Sequence, residues 1–275
     1  MKLNRVLIYH ENNYKYPYIP QEDFYCSDKN IFVVTDGVTH DLLDGDLYPI
    51  PSDSSLVSKL TGDTLLNCLV TKEFVDDKHI REAFIEANTK VKGFNLKREL
   101  WVNRENNAYN YGSCVASLVV ILENLVLYGV LDDCKVAVFD KQKNNKVKLK
   151  PYVDNSASYF NKKFDWSNPE HRKIWRKEIA NNSLRAEGNQ EIGYGVIDGR
   201  DTFIDFLQIG RVNIFQGDLV CVYTDGFDEP LKDKNFLNLL FTSDFNMDLY
   251  EKINNYLRKE DLLKEKTAYF IKIGN

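Results

Sequence analysis

Apolar residues recur along this chain in two rhythms. The continuous apolar run Ile31-Phe32-Val33-Val34-Thr35 reads as a strand buried on both faces and Leu219 to Thr224 as another buried strand, while Cys114 to Leu122 and Leu125 to Val130 read as apolar strands, followed by Lys135 to Phe139 as a third strand. Glu123-Asn124 joins two of them as a hairpin turn. Arg5 to His10, Thr202 to Ile209, Val212 to Phe215 and Thr267 to Ile273 add further strands. The second rhythm is helical. Ser52 to about Thr71 opens on the capping cluster Pro51-Ser52-Asp53-Ser54 and carries Leu56, Leu60, Leu65, Leu66 and Val70. Asp77 to about Leu100 carries Ile80, Phe84, Ala87, Val91 and Phe94 in one stripe, and Met247 to Lys259 is a later helix. Residues 141 to 200 break both rhythms, with Lys- and Asn-rich patches, a helix near Glu170 to Ala180, and Gly193-Tyr194-Gly195. That segment reads as an inserted flap. Grouped strands with an early helix pair predict an α+β class with largely antiparallel sheets, in a single domain over 1–275 that contains the flap.

Composition narrows the function classes. With 275 residues, 43% hydrophobic and 28% charged, the chain is of globular type and long enough for a large core. A net charge of −5 argues against a broad nucleic-acid-binding face. No run approaches the ~18 apolar residues of a membrane span, and the N-terminus lacks the apolar core of a signal peptide. A cytoplasmic protein without membrane partners is expected. The five cysteines form no CxxC pair and no Cys/His cluster, so they read as buried free thiols.

Candidate chemistry lies with carboxylates. Two buried-type strands run into Asp-Gly, at Asp36-Gly37 and Asp225-Gly226. A strand end fixes the Asp at the rim of a sheet, and the glycine permits a sharp turn. Two such carboxylates brought together repel unless a cation lies between them. Hard oxygen donors suit Mg²⁺ or Mn²⁺. Glu22-Asp23 and Asp133 add further acids, although each alone reads equally as a polar turn.

Order gives these pieces a common meaning. Glu22-Asp23, Phe32-Val33-Val34-Thr35-Asp36-Gly37, Tyr111-Gly112-Ser113-Cys114, Asp132-Asp133-Cys134-Lys135 and Gly217-Asp218-Leu219-Val220-Cys221-Val222-Tyr223-Thr224-Asp225-Gly226 resemble, in that order, the motif series of the metal-dependent protein phosphatase (2C-like) family. The resemblance spans about residues 20 to 273 and is most specific at the last element. It implies a sandwich of two antiparallel sheets flanked by helices, with two Mg²⁺ or Mn²⁺ ions at one edge. It implies Glu22, Asp36 and the Gly37 carbonyl as ligands of one ion, with Asp36 and Asp225 on the second. Asp23 would hold a metal-bound water, and Asp133 would contact a third, weaker ion. Asp23, Asp36 and Asp225 are thus the catalytic acids. The implied reaction is hydrolysis of phosphoserine or phosphothreonine on protein substrates by metal-activated water, with no cysteine nucleophile.

Three positions depart from that pattern. Tyr18 stands where the family places a phosphate-gripping Arg, which leaves Tyr18 and Lys15 as candidate substrate contacts. Lys264 stands where a further metal-ligating Asp is expected. Glu265 or Asp261 would compensate by a small register change, or the Lys264 ammonium would itself replace one ion. His40 follows Asp36-Gly37-Val38-Thr39, where relatives commonly have Gly-Gly. These departures keep two alternatives open: a catalytically impaired binding or regulatory module, and a small-molecule phosphatase.

Overall fold

The computed structural model describes residues 3–12, 20–38, 50–98, 112–163, 165, 168, 171, 174–185, 191–262 and 264–274. Their strands are β1 (Leu3–Glu11), β2 (Phe24–Asp28), β3 (Ile31–Gly37), β4 (Cys114–Ile121), β5 (Leu125–Leu131), β6 (Lys135–Phe139), β7 (Leu184–Arg185), β8 (Glu191–Ile192), β9 (Gln208–Asn213), β10 (Leu219–Tyr223) and β11 (Lys266–Ile273). One sheet has the order β1-β11-β10-β6 and the other β2-β3-β4-β5-β9, while β7 and β8 pair as a small ribbon. Every pairing is antiparallel.

The unbroken apolar runs have a direct structural reason. Side chains alternate across a strand, so each run serves two cores at once. Phe32 and Val34 of β3, Val220 and Val222 of β10, and Tyr269 and Ile271 of β11 share one apolar cluster between the sheets. The intervening residues face outward into helix-covered layers. Ile31 and Val33 join Val57, Ile80 and Phe84 of two helices, α1 (Asp53–Val70) and α2 (Asp77–Lys97). Cys221 and Phe270 join Phe236 and Ile253 of the helices Lys234–Thr242 and Met247–Lys259. The result is a helix–sheet–sheet–helix stack. Among the described residues, no helix is long and apolar enough to cross a membrane.

Helix α2 buries Ile80, Phe84, Ala87 and Val91, the stripe its spacing predicts. Helix α1 differs from expectation. Its buried face is Ser54, Val57, Ser58, Thr61, Gly62, Thr64, Leu65 and Leu69, while Leu56, Leu60 and Leu66 are only half-buried. The hydroxyls on that face are paired: Ser58 with Thr35 at 2.6 Å, and Ser54 Oγ to the Val38 carbonyl at 2.6 Å. An unpaired buried hydroxyl would cost about 1–3 kcal/mol, so small polar residues are tolerated there and let the helix approach β3 closely. Thr202 to Ile209 also departs from its predicted strand. Asp201–Asp205 is a 3₁₀ turn, and β9 starts only at Gln208. Phe203, Phe206 and Leu207 have helical rather than alternating spacing and are all buried.

Strand β2 and the helix Lys234–Thr242 were not expected; the latter is capped by Asp233 and buries Phe236, Leu237 and Leu240. The segment 141–200 forms a helix, Tyr152–Lys163, then a π-helix, Trp175–Ile179, then the β7-β8 ribbon. It does not stand apart. Phe160, Trp175, Ile179, Tyr194 and Val196 belong to the inter-sheet core, and Ile197 exchanges backbone hydrogen bonds with Cys114.

Candidate metal centre

Register brings the acids to one end of the sandwich. Phe24 pairs with Thr35, so Glu22 and Asp23 lie beside the Asp36-Gly37 end of β3. Tyr223 sits opposite both Ala268 of β11 and Lys135 of β6, which carries Thr224-Asp225, Lys264-Glu265-Lys266 and Asp132-Asp133 to the same rim. Alternation along β3 then aims Asp36, after Phe32 and Val34, into the space between the sheets.

Gly37 is needed where it stands. A methyl group there would lie 2.9 Å from the Glu22 β-carbon and 3.0 Å from the Ser54 carbonyl. At Gly226 a methyl group would meet the Glu265 carbonyl at 2.3 Å. The two Asp-Gly glycines thus serve close backbone approach at the rim.

The acids feel one another strongly. Asp36 is held well above the ordinary carboxylate range, first by burial and then by Asp23, Asp225, Glu265 and Asp133. Burial, followed by Glu265, pushes Asp23 up as well. Asp133 is pushed up to about 7 by burial and then by Asp225, with Lys135 and Lys264 offsetting part of the rise. Burial also raises Glu265, although two backbone N–H groups pull it back. Four raised carboxyl groups therefore share one rim with Asp225, and a cation arriving there relieves their mutual repulsion.

A lattice of hydrogen bonds holds this rim. Asp23 Oδ2 accepts from Thr224 Oγ1 at 2.9 Å, and that oxygen accepts from the Thr267 amide at 3.0 Å. Glu265 Oε1 accepts from the backbone amides of Glu22 and Asp23, at 2.5 and 2.6 Å. Ser52 Oγ, the cap of α1, donates to Glu22 Oε1. Lys264 Nζ contacts Asp225 Oδ2 at 2.5 Å, and Lys266 Nζ donates to the Lys264 carbonyl at 2.7 Å. Lys135 Nζ pairs with Asp228 Oδ2 at 2.5 Å on the flank. We expect Glu265→Ala to destabilise the fold by about 1–3 kcal/mol, because two amides lose their acceptor. Glu265→Gln should stay near wild type, since its amide oxygen still accepts; urea denaturation measures both.

Asp23, Asp36, Asp133, Asp225 and Glu265 therefore lie close enough at one rim to act on one another electrostatically. Glu22 is buried at the same rim, where its Oε1 accepts from Ser52 Oγ. Glu265, rather than Asp261, is the acid within reach of the cluster. Lys15, Tyr18 and His40 lie outside the described residues. Sequence reasoning missed Thr224, Ser52 and the Lys135–Asp228 pair. Alternation along β10 is the signal that would have found Thr224, since Val220 and Val222 face the same space.

The donors are oxygens of the kind Mg²⁺ and Mn²⁺ prefer. Among the described residues, no three His, Cys, Asp or Glu side chains are arranged to grip an ion as they stand. Beside Asp225 the positive charge is instead the Lys264 ammonium. All five cysteines are free, and burial lifts the Cys26 and Cys114 thiols to about 12, so neither is a thiolate at neutral pH.

No protein-family model matches the sequence, and no curated protein matches it. Solved structures do. The Mycobacterium tuberculosis serine/threonine phosphatase PstP/Ppp superposes with a TM-score of 0.65 at 11% identity, covering 98% of this chain and 99% of that one. The catalytic domain of PstP in complex with two manganese ions gives 0.62 at 11% identity, with 98% of each chain covered. Staphylococcus aureus Stp1, a serine/threonine phosphatase, gives 0.62 at 14% identity, covering 98% and 95%. Over nearly its whole length, this chain is built on the two-sheet sandwich fold of these serine/threonine phosphatases.

Proposed function

We propose that this chain is a metal-dependent serine/threonine protein phosphatase, with phosphoproteins as substrates and Mg²⁺ or Mn²⁺ as cofactor. The observation that supports it best is the gathering of Asp23, Asp36, Asp133, Asp225 and Glu265 at one rim of a sandwich shared with serine/threonine phosphatases, one of them solved with two manganese ions. These acids fit such an ion in donor type and in charge: Asp23, Asp36, Asp133 and Glu265, raised by burial and by neighbouring carboxylates, are relieved when a cation arrives.

Asp36 and Asp225, from the ends of β3 and β10, would hold the metal with the Gly37 carbonyl, Glu22 and Asp133 as further candidate donors. A divalent ion bound there supplies a water of lowered pKa and neutralises phosphoryl oxygens. The chain's own contribution is to position groups. Asp23, fixed by Thr224, stands ready to accept a hydrogen bond from a water beside Asp36. Glu265 ties the Glu22-Asp23 backbone to β11 and so keeps the rim closed. Tyr18 and Lys15 remain the candidate contacts for the substrate phosphate.

Purified protein with Mn²⁺ should hydrolyse p-nitrophenyl phosphate and a phosphothreonine peptide, and Asp225→Asn should abolish both activities. Turnover unaffected by a chelator would overturn the proposal. Mn²⁺ binding without turnover would mark a binding module instead, and activity confined to nucleotides or sugar phosphates would mark a small-molecule phosphatase.

A further inference from the structure

We infer that the ammonium of Lys264 is a built-in cation that takes the place of one divalent ion, so that the centre binds a single Mg²⁺ or Mn²⁺ per chain. The inference rests on the metal-dependent reading above and concerns how many ions that site accepts. Lys264 Nζ lies 2.5 Å from Asp225 Oδ2, which is direct hydrogen-bonded contact. A divalent ion on that oxygen would bond at about 2.0–2.2 Å and would be pressed against a positive charge. The oxygen can serve the ammonium or a metal, and the ammonium is tethered to the chain at high effective concentration.

The segment that presents Lys264 is locked in register. Its carbonyl accepts from Lys266 Nζ at 2.7 Å, and Lys266 is itself only 2% exposed. On the other side, Glu265 is pinned through Oε1 to the amides of Glu22 and Asp23. A one-residue slip that exchanged Lys264 for Glu265 at Asp225 would break both anchors, and Gly226 already packs against the Glu265 backbone. The register therefore presents a lysine, not a carboxylate, to Asp225. Asp36, whose neighbours include Asp23, Asp225, Glu265 and Asp133, is left to gather the remaining ion, to which Asp225 would offer only its other oxygen, Oδ1.

The test is the number of Mn²⁺ ions bound, read by calorimetry and by the loss of the free-ion paramagnetic resonance signal. Wild type should bind one Mn²⁺ per chain. Lys264→Asp should bind two, and Lys264→Gln should bind its first ion roughly tenfold more tightly, because a nearby positive charge is gone. The Lys264 side chain is 58% exposed, so both variants should fold, with melting curves as a check. Two ions in wild type, or a single ion of unchanged affinity in both variants, would overturn the inference while leaving the metal-dependent reading intact. No ion in wild type, matched by Asp36→Asn, would remove that reading and this inference with it.

Discussion

Replacing Asp36 by Asn is expected to lower turnover by about 10³-fold or more and, at the same time, to raise the melting temperature of the metal-free protein. Both effects have one origin. Asp36 lies in a poorly solvated space where burial, then Asp23, Asp225, Glu265 and Asp133, all oppose its ionisation. In the absence of a cation its charge is a cost to the native state, and an amide of the same shape removes that cost. On the proposed function the same charge would bind the cation, so the variant should lose the metal and the chemistry together. A gain of about 2–5 °C without metal corresponds to one or two kcal/mol in a chain of this size. Added Mn²⁺ should stabilise wild type and leave the variant unmoved, since only a ligand that binds the native state shifts the curve. Scanning fluorimetry and p-nitrophenyl phosphate turnover, measured on the same preparations, decide the matter. A variant that retains activity within tenfold, or melts well below metal-free wild type, would remove Asp36 from the centre of the site.

The second large effect concerns pH. Without metal, stability should fall as pH rises from the ordinary aspartate value of 3.8 through about 7, the value to which Asp133 is pushed. A carboxyl group whose pKa is raised by folding binds more protons in the native than in the unfolded state throughout that window. Its contribution is therefore fully favourable at low pH and is lost as pH climbs, by up to about 1.4 kcal/mol per pH unit for each such group. Asp23, Asp36 and Glu265 are shifted in the same direction. Saturating Mn²⁺ should flatten or reverse this slope, because the ion binds the deprotonated acids and its affinity rises with pH. Urea midpoints at pH 5, 6, 7 and 8, with and without Mn²⁺, give the comparison. A metal-free protein more stable at pH 8 than at pH 5 would contradict the electrostatic picture of the rim.

Much of the architecture is legible in the chain because it depends on local period. Runs such as Ile31 to Val34 and Leu219 to Tyr223 carry no charged or small polar side chain, and a strand of that kind has a core on each face. The stripe of α2 and the helix Met247–Lys259 follow from spacing in the same way. Local period misleads where partners override it. Helix α1 turns Ser54, Ser58 and Thr61 inward because Val38 just past β3, Thr35 of β3 and Cys114 of β4 supply their hydrogen bonds, and nothing within the helix announces that. Thr202 to Ile209 is rich in strand-forming residues, yet its aromatic side chains reach the core by a 3₁₀ turn.

By itself the sequence determined most of the strands, the burial of those that became β3 and β10, the α+β class, and the candidate acids at the ends of β3 and β10. Each is a property of neighbouring residues. The tertiary structure alone decided which acids meet, that Thr224 braces Asp23 from 201 positions away, and that Lys264 reaches Asp225. Those contacts depend on sheet order and register, which bring distant strand ends to a common rim, and electrostatic interaction follows distance in space rather than distance along the chain.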